Sequence, residues 1–184
     1  MTDFATLLES NTTRYEIIYA DPPWEYSDKA LAGRRGAACK YPVLSIETLK
    51  KLPVADICAH DALLFLWVTM PQLNVCMDVI RSWGFTYKTC AFTWVKRNKK
   101  MLSWFWGMGR WTRSNAELCL LATRGHPRRC SASVHSIIES PVQDHSRKPD
   151  IVRDKIVQLC GDMSRIELFA RERCVGWDAW GNDV

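Results

Sequence analysis

At 184 residues, 47% hydrophobic and +5 in formal charge, the chain has the size for one domain, residues 1–184, with its own core, and its pI near 8.8 favours a polyanionic partner. Eight cysteines, at 39, 58, 76, 90, 119, 130, 160 and 174, show no Cys-x-x-Cys spacing, and the opening "MTDFATLLESNTTR" lacks the basic start and apolar run of an export leader; no zinc or other metal site is expected, and the cysteines read as reduced thiols in a cytoplasmic protein. The longest apolar run, "ALLFLWVTM", is too short to cross a bilayer, so no membrane partner is expected.

In chain order, "YEIIYA" (15–20) reads as the first strand. It runs into "DPPW", and two consecutive prolines cannot donate to a ladder, so the strand stops at Asp21. An ordinary turn could use Asp-Pro; Pro-Pro followed by an exposed tryptophan asks for another purpose. Residues 25–44, with "AGRRGAACKYP", read as a loop. "SIETLKKL" (45–52) is a helix capped by Ser45 and stopped before Pro53. "ALLFLWV" (62–68) is apolar throughout, as a central strand covered on both faces should be. "PQLNVCMDVIRSWG" (71–84) has proline at its start and glycine at its end, the helix asymmetry. "TYKTCAFTWV" (86–95) and "AELCLLAT" (116–123) are strands, and "KPDIVRDKIVQLCG" (148–161) is a helix with Val152, Ile156 and Leu159 on one face. "RIELFAR" (165–171) is the last strand. Strands alternating with helices predict an α/β fold with a mostly parallel sheet flanked by helices, whose ligands sit beyond the carboxyl ends of the strands. Asp21 to Trp24 lies at such an end.

Two further stretches, 96–115 and 124–147, fit neither element and read as long loops, which in a compact domain are usually functional or mobile. The first interleaves Lys96, Arg97, Lys99, Lys100, Arg110 and Arg113 with Trp104, Phe105, Trp106 and Trp111. Cations track a phosphate backbone and aromatics stack on bases, which points to nucleic acid. The alternative is a solvated loop whose aromatics fold back on the core.

One chemistry that could use a carboxylate placed like Asp21 is methyl transfer to the exocyclic amine of adenine. That nitrogen is a weak nucleophile because its lone pair is delocalised into the ring. Two fixed acceptors, a carboxylate and a backbone carbonyl, would draw it toward tetrahedral geometry. Asp21 and the Pro22 carbonyl supply them, Pro23 stiffens the chain, and Trp24 would stack on the base.

"DPPW" after a strand resembles the catalytic signature of amino-methyltransferases acting on adenine. "YADPPW", "LFLWVT", "GFTYKTCAFTWVK", "GRWTRSNAELCLLATRG", "HSRKPD" and "RIELFARERCVGWDAWGND" follow one another over nearly the whole chain. Together they resemble the family typified by the catalytic subunit of the eukaryotic mRNA adenosine methylase, in its short bacterial or phage branch. The resemblance implies a Rossmann-like methyltransferase fold using S-adenosylmethionine, with a permuted motif order in which the catalytic motif comes first. No G-x-G-x-x-G loop is present, and S-adenosylmethionine has no phosphate for one to cradle.

The resemblance further implies that Lys148 meets the methionine carboxylate, which suits a cation beside a helix N-terminus. It places Glu167, Phe169 and Arg171 near the cofactor ribose, Asn182 and Asp183 near the cofactor adenine and ribose, and Asp21 beside the cofactor as well as the base. Asn115, Glu117 and Tyr26 fall near the target adenosine. After "ELFAR" the chain reads Glu172-Arg173-Cys174, where the eukaryotic enzyme has a histidine–asparagine pair. The implied activity is adenine-N6 methylation of DNA. Three alternatives stand beside it: the same chemistry on RNA, an inactive nucleic-acid-binding subunit, and a cysteine- or metal-dependent nucleic-acid enzyme, against which the cysteine spacings speak. A homodimer or a partner subunit is compatible with each.

Overall fold

The computed structural model describes residues 4–10, 12–25, 43–101, 103–109, 111–143, 147–182 and 184. The first strand, β1 (Tyr15–Ala20), follows a short helix α1 (Phe4–Ser10). Next come α2 (Ile46–Lys51), β2 (Cys58–Val68), α3 (Leu73–Ser82) and β3 (Thr86–Arg97). The second half holds β4 (Glu117–Arg124), β5 (Ile137–Pro141), α4 (Ile151–Cys160), β6 (Arg165–Leu168) and β7 (Asp178–Trp180). The strands form one sheet in the order β5-β3-β4-β2-β1-β6-β7.

β1, β2, β3, β5, β6 and β7 share one direction, and β4 runs against both its neighbours, β2 and β3. The sheet is mostly parallel, as expected, and β4 is its one reversed strand among the described residues. A parallel return needs a crossover, usually a helix. The chain between β3 and β4 forms no helix among its described residues, so it comes back antiparallel. The first residue of β4, Glu117, therefore lies level with the carboxyl ends of the other strands: it pairs with Trp94, and Leu118 pairs with Val68.

The central strands are covered on both faces. Ile18, Ala20, Leu64, Leu66 and Val68 pack with Phe4, Leu49, Val79 and Ile80 of the first three helices. Ile17, Tyr19, Leu63, Phe65 and Trp67 pack with Val152, Ile156 and Cys160 of α4. Alternate residues of each strand thus feed opposite layers, which is why 17–20 of β1 and 62–68 of β2 read as unbroken apolar runs. Among the described residues no helix is long and apolar enough to cross a membrane.

Several boundaries move. Ser45 caps α2 as expected, accepting from the backbone N–H of Thr48 at 3.1 Å. β3 continues through Lys96 and Arg97, so the following loop begins later than expected. β5 lies inside the stretch read as a loop; Ile138 is buried and Ile137 is 65% exposed, a half-buried edge strand too short to show a pattern. β6 ends at Leu168 because Phe169 takes a φ of 62°, the one positive φ outside glycine among the described residues. Most of the 25–44 loop lies outside the described residues.

Candidate active site

β1 has β2 on one side and β6 on the other, so the chain leaves it in both directions and opens a crevice beyond its carboxyl end. Asp21 stands there, immediately after Ala20. Lys148, just before α4, donates to Asp21 Oδ2 at 2.7 Å. The same ammonium lies 3.3 Å from Glu117 Oε2 at the start of β4, and Glu117 Oε1 accepts from Lys96 Nζ of β3 at 2.5 Å. Four side chains from four segments thus alternate in sign: Lys96, Glu117, Lys148, Asp21. All are largely enclosed, from 10% exposed at Lys148 to 21% at Asp21.

Burial sets the electrostatics. It pushes the Asp21 carboxyl above the usual aspartate range, against the pull of Lys148. At Lys148 burial opposes the charge, but Asp21 and Glu117 outweigh it and hold the ammonium above the usual lysine range. At Glu117 burial is outweighed by Lys148 and Lys96, and its carboxyl sits low. Glu117 Oε2 is nevertheless buried without a well-directed hydrogen bond.

The crevice is lined by Tyr19, Asp21, Lys148, Glu167, Phe169 and Arg171, together with Arg147, Arg153 and Glu172. Glu167, at the end of β6, is gripped by the Arg153 guanidinium, Nε to Oε2 at 2.7 Å and a terminal nitrogen to Oε1 at 3.0 Å. Burial raises the Glu167 carboxyl and Arg153 opposes it. Phe169 turns the chain out of β6 in its left-handed conformation and packs edge-on against Trp180, centroids 5.3 Å apart. A bulky residue in that conformation is strained and persists only where its surroundings dictate it.

The structure brings Asp21, Glu117, Lys148, Glu167, Phe169 and Arg171 of the expected residues together. Others fall elsewhere. Trp24, expected to be exposed, is 4% exposed and donates its indole N–H to the Trp67 carbonyl at 2.9 Å. As placed it anchors the strand end, and its face is not open to a base. The Pro22 carbonyl accepts from the Trp24 N–H at 2.9 Å, which leaves it one free lone pair, and the Pro23 carbonyl accepts from Leu44 N at 2.9 Å. Asn115 reaches the protein's own backbone: its Oδ1 accepts from Lys96 N at 2.8 Å, and its Nδ2 donates to the Lys96 carbonyl at 3.0 Å and the Phe105 carbonyl at 2.5 Å. Lys96 is committed to Glu117, and Arg97 pairs with Glu139 and lies 3.3 Å from the Trp104 ring centre. Neither is posed as a phosphate contact. Lys99, Lys100, Arg113, Trp104, Trp106 and Trp111 are exposed, Trp111 to 95%. The three tryptophans therefore do not fold back on the core, while Phe105 is half-buried. Asn182 is exposed past β7 and does not line the crevice. Tyr26, Arg110 and Asp183 lie outside the described residues.

Tyr19, Arg147, Arg153 and Glu172 were not singled out from sequence. Tyr19 had a signal, since it stands two residues before Asp21 on the same strand face. Arg147 and Glu172 adjoin residues that were singled out, and they pair with each other.

A profile of the MT-A70 family matches residues 15–183. Among curated proteins, the type II methyltransferase M.MunI of Mycoplasma sp is 35% identical over 93% of this chain and 78% of its own length. The human N(6)-adenosine-methyltransferase catalytic subunit METTL3 is 26% identical over 93% of this chain and 28% of its own length. The zebrafish METTL3 subunit is 27% identical over the same shares. The chain thus spans about a quarter of the METTL3 relatives.

Proposed function

The chain belongs to the MT-A70 methyltransferase family, and from that premise we propose that it methylates the exocyclic N6 amine of adenine in nucleic acid, with DNA favoured over RNA and S-adenosylmethionine as donor. The observation that carries the reading is the buried Asp21 carboxylate, held by Lys148 at the carboxyl end of β1 beside the break in strand order.

S-adenosylmethionine supplies a methyl group on a sulfonium centre. The residues present suit it. Lys148 is an enclosed ammonium with three donor hydrogens, already arranged to face carboxylate oxygens, and this suits the carboxylate of the donor's amino-acid end. Glu167 keeps lone pairs for hydroxyl groups after accepting twice from Arg153. Asp21 accepts from one amino hydrogen of the base, and the remaining lone pair of the Pro22 carbonyl accepts from the other. Charge on Asp21 then stabilises the amine as it becomes tetrahedral. The exposed Trp104, Trp106 and Trp111 suit stacking, and Lys99, Lys100 and Arg113 suit phosphates.

DNA is favoured because the likeness to the type II methyltransferase M.MunI spans most of both chains, whereas the N(6)-adenosine-methyltransferase subunits match over a small part of theirs. The test is incubation with methyl-labelled donor and sequence-matched single- and double-stranded DNA and RNA, followed by identification of the labelled nucleoside. Label in N6-methyladenine, with DNA ahead of RNA, is expected. Label on another base overturns the chemistry, and RNA ahead of DNA overturns the substrate.

A further inference from the structure

Lys96 reads from sequence as a member of a basic loop, with Lys99 and Lys100 close behind. Its position says otherwise. It lies inside β3, two residues past Trp94, which pairs across the sheet with Glu117. Side chains two apart share a strand face, so Lys96 and Glu117 are diagonal neighbours. Lys96 spends its charge on Glu117 Oε1, its Nζ 5.0 Å from the Trp94 ring centre, and its side chain is 15% exposed.

Its backbone is equally constrained. Asn115 spans the strand and the loop by binding both the N–H and the carbonyl of Lys96 together with the carbonyl of Phe105. Phe105 N donates to the same Lys96 carbonyl at 3.0 Å, and Arg97 forms a bridge with Trp104. The loop that carries the exposed tryptophans is therefore tied directly to Lys96.

We propose that Lys96 is a positioning residue which, by occupying one oxygen of Glu117, sets how Lys148 is shared between Glu117 and Asp21, and so couples the 98–116 loop to the Asp21 carboxylate. This rests on the reading of Asp21 as the group that faces the reacting amine. With Lys96 in place, the four charges sum to zero and Lys148 sits closer to Asp21, at 2.7 Å, than to Glu117, at 3.3 Å. Without it, Glu117 has one cation left and competes with Asp21 for Lys148. Asp21 then becomes easier to protonate, because it loses part of its counter-charge while remaining buried. The other groups acting on Asp21 and its neighbours are Arg171, Glu167, Tyr19 and Cys119, and substitution at Lys96 leaves all of them in place.

The test compares wild type with Lys96→Met, which keeps the aliphatic stem beside Trp94, and Lys96→Arg, which keeps the charge. The readout is the titration midpoint of Asp21, followed by carbon-13 NMR of its carboxyl. The expected result is a rise of about one unit in Lys96→Met, restored in Lys96→Arg. In a Glu117→Gln background the Asp21 midpoint falls, and adding Lys96→Met moves it little, because the coupling runs through Glu117. Binding of a DNA oligonucleotide by Lys96→Met should keep its salt slope. An unchanged Asp21 midpoint in Lys96→Met, with a salt slope reduced by about one, overturns the proposal and returns Lys96 to the phosphate contacts. An equal Lys96→Met shift with and without Glu117 also overturns it. The titration requires no turnover, so its outcome stands apart from whether adenine is the substrate.

Discussion

Lys148 is 10% exposed yet keeps its charge, because Asp21 and Glu117 flank it. Lys148→Ala removes the cation from between two enclosed carboxylates. On the proposed function it also removes the donor for the cofactor carboxylate. One charge-assisted hydrogen bond is worth roughly 1.5–3 kcal/mol, so calorimetric affinity for S-adenosylmethionine should fall about ten- to a hundredfold. Unchanged affinity would remove Lys148 from the cofactor site. Asp21 was legible as a carboxylate at a predicted strand end, whereas Glu117, Lys148 and Glu167 entered through the family resemblance. The ion pairs that join Asp21, Lys148 and Glu117 were not legible, since Asp21 and Lys148 are 127 positions apart. Lys96 was misread for a local reason. In sequence it abuts a run of cations, and only the register of β3 against β4 shows that it faces Glu117. Trp24 was misread because a tryptophan after two prolines carries no sign of the Trp67 carbonyl it binds.

At the scale of elements, the stretch 96–115, from the end of β3 through the loop after it, divides into two kinds of residue. Lys96, Arg97 and Asn115 bind the protein itself. Lys99, Lys100, Trp106, Trp111 and Arg113 are exposed, Arg113 while donating to Met108 Sδ at 3.2 Å. Replacing Lys99, Lys100 and Arg113 together by alanine should weaken binding to every DNA sequence about equally. The slope of log affinity against log salt should drop by about 0.9 for each phosphate no longer neutralised. Weakening confined to one sequence would instead mark these residues as base readers. The long strands and α2, α3 and α4 were legible because each is apolar along its length or bounded by a cap, a proline or a glycine; α1 was not read from the sequence. β5 and β7 were not, having five and three residues whose pairing comes from β3 and β6. The reversed direction of β4 was recoverable in principle, because the stretch before it has no helical period to make a crossover.

For the whole molecule, the charges buried at the crevice tie stability to pH. Asp21 and Glu167 have folded-state carboxyls raised above their unfolded values, so the folded chain binds these protons more tightly. Their contribution falls as pH rises from the ordinary carboxylate range through those raised values. Glu117 at the crevice and the half-exposed Asp150 outside it are depressed, so their contribution is present above the ordinary range and is lost as pH falls below it. The two sets oppose each other, and the melting temperature should peak on the acid side of neutrality. A melting temperature that climbs steadily from acid to alkaline pH would contradict these assignments. The most direct measurement of the central claim is the single-turnover rate of N6-methyladenine formation by wild type and Asp21→Asn, at saturating S-adenosylmethionine and DNA. The amide keeps the shape and one acceptor but loses the charge that steadies the amine, worth on the order of 3 kcal/mol or about a hundredfold in rate. A folded Asp21→Asn protein slowed by about that factor is the expected result; a variant that turns over at the wild-type rate would contradict the assignment of Asp21 to the reacting amine.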